Sequence, residues 1–236
     1  MIGTMSFLGQ LSGYLFVVLL PLLALYIVYL LVTKAFHDMG FSSVEAIIIV
    51  FVSFLLGAGI IDGYTRINFS NIPLFTYHTF WVVGVNVGGA VIPILLSVYL
   101  FIKYRLRLLW VLVGVGIVAV VTYLVTFPDP EKGIVSTFPF WLLPVFIASV
   151  GSLVLSWKQR RKAAPLAYCI GTLGVLLGAD CLHLVRLLSF EIHSTRNAVI
   201  GGASVFDMVF ITGILAVVLD GVLMHQEKRK KKLKEE

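Results

Sequence analysis

Seven stretches of about 18 to 26 residues run through this chain almost without charge, and each is long enough as a helix to cross a hydrocarbon core about 30 Å thick. They cover residues 14–32, 44–61, 80–102, 108–127, 138–157, 163–187 and 198–223. Composition agrees: the chain is 59% hydrophobic and 13% charged, with a mean hydropathy of +1.01, whereas a soluble domain carries about 25% charge. A soluble globular protein is excluded. β-Barrel strands would be about ten residues long with alternating polarity, and these runs are continuously apolar at twice that length. The expected fold is therefore all-α: a polytopic transmembrane bundle of seven spans forming one domain over 1–225, followed by a basic cytoplasmic tail over 226–236. Nothing basic precedes the first stretch and no small-residue cleavage pattern follows it, so it reads as a retained span and not as a signal peptide.

Orientation follows from the cations. Of the 18 Lys and Arg, 14 fall in one alternate set of connections: Lys34, then the clusters 103–107 and 158–162, then the tail. The other set holds only Arg66, Lys132, Arg186 and Arg196. The positive-inside rule then puts the N-terminus outside and the C-terminus in the cytoplasm of a multi-pass cell-membrane protein. The net charge of +6 marks membrane edges and an attraction to anionic lipid, so lipid is the expected partner and nucleic acid is not. Trp141 and Trp157 lie about 24 Å apart along one helix, the spacing of an interfacial belt. Cys169 and Cys181 lie about 18 Å apart along another, too far to bridge.

Ionisable groups inside the hydrocarbon carry the functional information, because an Asp at a helix centre costs about 2.5 to 3.5 kcal/mol on insertion scales. Most acids fall in loops or the tail, and Glu45, Asp62 and Asp220 fall near span ends with access to water. Asp180 and Asp207 alone are deep. The helical rise places Asp180 about 10 Å and Asp207 about 13 Å below the outer boundary, on successive spans joined by a short connection. Facing each other in a site poor in counter-charges, two such carboxyls would share one proton. The ionised member of a proton-sharing pair activates water while the protonated member polarises a carbonyl.

The expected site therefore has Asp180 and Asp207 as catalytic acids. Asn86, Pro93, His183 and Ser204 are expected to bind substrate, water or an ion. Pro93 would kink the third span and free a carbonyl. Three functions fit these residues: an intramembrane aspartyl protease-like hydrolase acting on a transmembrane peptide, a proton- or cation-coupled small-solute transporter, and a non-catalytic structural protein in which each Asp ties a different helix. Asp180 and His183 share a helix face at i, i+3 and with Asp207 would offer three ligands to a metal, but the spacing alone is weak. No metal or cofactor is expected.

Two short likenesses hint at duplication. Leu55-Leu56-Gly57-Ala58 is similar to Leu176-Leu177-Gly178-Ala179, and Gly88-Gly89-Ala90 to Gly201-Gly202-Ala203. An offset of four spans would keep both copies in one orientation. Gly171, Gly174 and Gly178 form a small-residue stripe of the kind that lets helices approach closely in lipid.

Val87-Gly88-Gly89-Ala90-Val91-Ile92-Pro93, Leu177-Gly178-Ala179-Asp180 with Leu182-His183-Leu184, and Gly201-Gly202-Ala203 through Phe206-Asp207 to Gly213 together resemble an uncharacterised prokaryotic, mainly archaeal, membrane-protein family of unknown function. The resemblance covers roughly residues 57–219 and names no reaction. A more distant likeness is to intramembrane aspartyl proteases of the presenilin and signal-peptide-peptidase type, which pair one Asp with a Gly-x-Gly-Asp on the next helix. Ala179 stands where that pattern has its second Gly, and the motif order is reversed. The likeness thus implies only paired-Asp chemistry, for Asp180 and Asp207.

Overall fold

The computed structural model describes residues 2–78, 80–137, 139–202 and 208–235. Among them four helices are long and apolar enough to cross a membrane: Val17–Asp38, Leu108–Val125, Arg160–Leu188 and Met208–His225. Three shorter apolar helices, Ser43–Gly57, Val87–Lys103 and Phe140–Leu155, lie between them. These features are those of a membrane protein.

In chain order, α1 (Ile2–Asp38), α2 (Ser43–Gly57) and α3 (Ile60–Thr65) lead into strands β1 (Asn71–Tyr77) and β2 (Trp81–Asn86). A π-helical turn, Val87–Val91, passes directly into α4 (Ile92–Lys103). There follow α5 (Leu108–Val125), the hairpin β3 (Thr126–Asp129) and β4 (Gly133–Ser136), α6 (Leu143–Leu155) and α7 (Ala163–Val175). A second π turn, Leu176–Cys181, joins α7 to α8 (Leu182–Leu188), and β5 (Arg196–Ile200) precedes α9 (Met208–Glu235).

α7 is the axis of the bundle, packed against α4, α5, α6 and α9. Small residues make that possible, since lipid supplies no hydrophobic drive and helices must associate through close packing. Gly171 faces Ala148 of α6 and Thr212 of α9, whereas Gly174 faces Val118 of α5. Gly178, in the π turn, lies against Ala119 and Thr122 of α5. The stripe thus serves three neighbours, α5, α6 and α9. By contrast, in the part of α1 from Val17 onward, Val17 to Leu30 are exposed, and Ala35, Phe36 and the following Met39 are fully enclosed. The turn after α1 is tied to the end of α4: Tyr104 Oη donates to Met39 O at 2.8 Å and Lys103 Nζ to Gly40 O at 3.1 Å. α2 begins with a capping box in which Glu45 N–H donates to Ser42 Oγ and Ser42 N–H to Glu45 Oε2.

The chain is predominantly helical, as expected, but two spans begin otherwise. Residues 81–86 and 198–200, read from sequence as the starts of helices, are strands. β2 and β5 pair in parallel from Trp81↔Arg196 to Val85↔Ile200, and β1 pairs antiparallel with β2 on its other edge. The ladder satisfies backbone groups that would otherwise have to be helical, and most of β2 is enclosed by protein. A continuous run of Val, Gly and Ile does not distinguish the two structures by periodicity. The expected kink at Pro93 also takes another form: the proline occupies the first turn of α4, after the π turn, and Pro144 holds the same place in α6. Asp220, expected near water, is fully buried, and Ser152 Oγ donates to its Oδ1 at 3.1 Å.

Candidate functional site

The glycine motifs converge. Gly88 lies against Ser53 and Gly57 of α2, and a Cβ at Gly89 would run into the carbonyl oxygen of Gly201. Gly201 follows β5 with φ +89° and rests on Ala90. No side chain fits between these backbones, so the two Gly-Gly-Ala runs meet because each has a bare face and, at Gly201, a left-handed conformation. The Gly201 N–H donates to Asp180 Oδ2 at 2.8 Å. Asp180 reaches it from the second π turn, whose i→i+5 spacing inserts an extra residue into the helix.

The partly buried Asp180 lines a cavity of about 280 Å³ with Thr126 and Ser136 of the β3–β4 hairpin, Trp141, Met208 and Ile211. Thr126 Oγ1 donates to Thr122 O and Ser136 Oγ to Val125 O, both at 2.7 Å, which anchors the hairpin wall to the end of α5. Asp180 is the one ionisable side chain among the described residues lining this space. Met208, the residue after Asp207 in sequence, sits on the same wall. Asp207 and Ser204 lie outside the described residues.

The remaining candidates are placed elsewhere. Asn86 is fully buried at the end of β2, where it donates from Nδ2 to Gly57 O at 3.1 Å and to Asn71 Oδ1 at 2.9 Å and accepts from Gly89 N–H at 2.7 Å. It clamps α2, β1 and the first π turn together. Pro93 is buried and its carbonyl accepts from Ser97 Oγ at 2.9 Å. His183, read from sequence as a surface-near group sharing a face with Asp180, is 2% exposed. Its ring stacks on Tyr123 at 4.3 Å, with Nε2 at 3.2 Å from Tyr123 O. The π turn over Leu176–Cys181 changes the helical phase just before His183. His183 packs with Gly178 on the α5 side, while Asp180 bonds to Gly201 after β5. No group of three or more metal-ligating side chains occurs among the described residues.

Of the residues the cavity brings together, Thr126, Ser136 and Trp141 were not marked by the sequence. The stretch Pro128-Asp129-Pro130-Glu131-Lys132-Gly133 signals a turn, and Trp141 reads as an interfacial anchor. Nothing in either signal points inward. Gly201 stood inside a recognised motif, but its amide acquires a role only once β5 is a strand.

A family model described as a protein of unknown function, DUF1614, matches residues 62–219. The chain belongs to that family. The match covers the hairpin, both π turns, β5 and the start of α9, and so includes every residue of the Asp180 cavity. No curated protein and no solved structure matches the chain.

Proposed function

We propose that this is a seven-span protein of the cell membrane, with its N-terminus outside, that hydrolyses a membrane-embedded substrate such as a transmembrane peptide. Asp180 and Asp207 share a proton around the attacking water. The observation that carries the reading is Asp180, amide-held by Gly201, on a cavity wall that also includes the residue following Asp207. The three shorter apolar helices supply the spans that complete seven, and the Lys and Arg distribution sets the orientation. Gly201 N–H fixes the Asp180 carboxyl, and Trp141, Met208 and Ile211 keep the space mainly apolar, so charges developing during hydrolysis act at low dielectric. Neither Asn86 nor His183 touches the reacting groups in this reading: Asn86 supports the strand end and His183 the α5 side.

The test is cleavage of a transmembrane peptide library by the purified protein in lipid nanodiscs. Asp180→Asn and Asp207→Asn should each lower cleavage by about 10²-fold or more. Cleavage that survives both substitutions excludes the mechanism. A second reading, proton- or cation-coupled transport through the same acids, is favoured by one observation: β2 and β5 lie side by side in parallel, each followed by Gly-Gly-Ala, as a duplicated unit would. No cleavage of any peptide, with proton flux into proteoliposomes that Asp180→Asn abolishes, selects transport.

A further inference from the structure

A larger cavity, about 440 Å³, opens between the β1–β2 turn and the loop joining α8 to β5, and shares no lining residue with the Asp180 cavity. Four aromatic residues, Tyr77, Phe80, Trp81 and Phe190, line it. Trp81 is 2% exposed and its Nε1–H donates to Phe190 O at 3.2 Å, which ties the loop to the sheet. Tyr77 and Phe80 are 40% and 39% exposed, so the cavity has an open side. The Tyr77 ring meets the His78 ring edge-on at 4.2 Å. One carboxylate, the exposed Glu191, stands at the wall, and it enters no ion pair among the described residues. Among the described residues no Lys or Arg lines the space, and two histidines, His78 and His193, do.

Aromatic faces carry negative potential, and a carboxylate beside them adds a full charge. With no Lys or Arg among the described lining residues, the rings and Glu191 disfavour an anion, and the two histidines add no fixed positive charge at neutral pH. A strongly hydrated metal ion finds no cluster of ligating groups among the described residues. What matches both the apolar rings and the charge is a weakly hydrated organic cation. We propose that this cavity binds a small organic ammonium group, with the rings contacting its methyl or methylene surface and Glu191 supplying the counter-charge. The group is carried either by a free solute or by a lipid headgroup.

The test is calorimetric titration of the full chain, in phosphatidylglycerol nanodiscs, with tetramethylammonium chloride and with its neutral counterpart tert-butanol. Saturable tetramethylammonium binding is expected, at least tenfold tighter than tert-butanol. Glu191→Gln, on an exposed loop, should weaken it about tenfold and leave the melting temperature unchanged, and Tyr77→Leu should weaken it comparably. Repeating the titration in phosphatidylcholine nanodiscs separates the sources: a lost response identifies a lipid headgroup as occupant, and a retained one identifies a free solute. Equal affinity for tert-butanol, indifference to Glu191→Gln, or no saturable binding would overturn the proposal and leave the rings as an interfacial belt.

Discussion

Asn86 and Gly201 show how single residues hold the strand ends in place. Asn86 makes three hydrogen bonds in a fully buried position, so Asn86→Ala strands a backbone carbonyl, an amide N–H and the Asn71 side chain. Each buried orphan costs about 1–3 kcal/mol, and thermal unfolding in detergent should show a loss of about 2–4 kcal/mol. Gly201→Ala adds a Cβ at φ +89° directly against Ala90. It should destabilise by about 2 kcal/mol or more, since strained backbone and overpacking both apply. Gly116→Ala is the control: nothing lies within 4 Å of its added methyl, and in α5 it should be neutral or stabilise by up to about 1 kcal/mol. Equal effects of the two glycine substitutions on the melting temperature would refute the close-approach account.

At the scale of elements, the β3–β4 hairpin walls the Asp180 cavity through a turn that an acid organises. Asp129 Oδ1 accepts from Glu131 N–H at 2.8 Å and Lys132 N–H at 2.9 Å. These amides hold the Asp129 carboxyl below its ordinary value, with Lys132 and Arg196 adding to the effect. The bonds favour the ionised form, so the turn's stabilisation is complete above the unfolded carboxylate value of about 3.9 and is lost as pH falls through the lower folded one. Hydrogen exchange should find the Glu131 and Lys132 amides protected at pH 6 and progressively exposed below about pH 4, with Asp129→Ala unprotected throughout. Protection that is independent of pH and of Asp129 would assign the turn's order to the strands alone. The two π turns belong to this scale as well. Each stands beside a Gly-rich motif, and 3.6-residue periodicity contains neither.

Across the whole molecule, the proposed seven-span, N-outside arrangement predicts where soluble reagents reach. In intact cells, with Cys169 and Cys181 replaced by Ala, Lys132→Cys should react with an impermeant maleimide from outside. Arg161→Cys should react only after permeabilisation. The opposite pattern would invert the orientation and put the Asp180 cavity in the inner half of the bilayer. The exposed stretch Val17 to Leu30 of α1 contrasts with the enclosed α7, and Ala35 and Phe36 join the packed bundle.

Apolar length and the placement of Lys and Arg already determine a helical membrane protein with two unusual acids, because hydrocarbon thickness and insertion cost act on any chain of this composition. The Gly-rich motifs are equally visible in the sequence. Their purpose is not, since an apolar run with both neighbours unknown has no preferred period, and it is pairing with β1 on one edge and β5 on the other that makes β2 a strand. Tertiary structure likewise decides that Asn86 clamps a strand end, that Asp180 bonds to Gly201, and that Thr126, Ser136 and Trp141 enclose the acid. These are contacts between segments tens of residues apart, and local propensity carries no information about which distant backbone will satisfy a buried polar group.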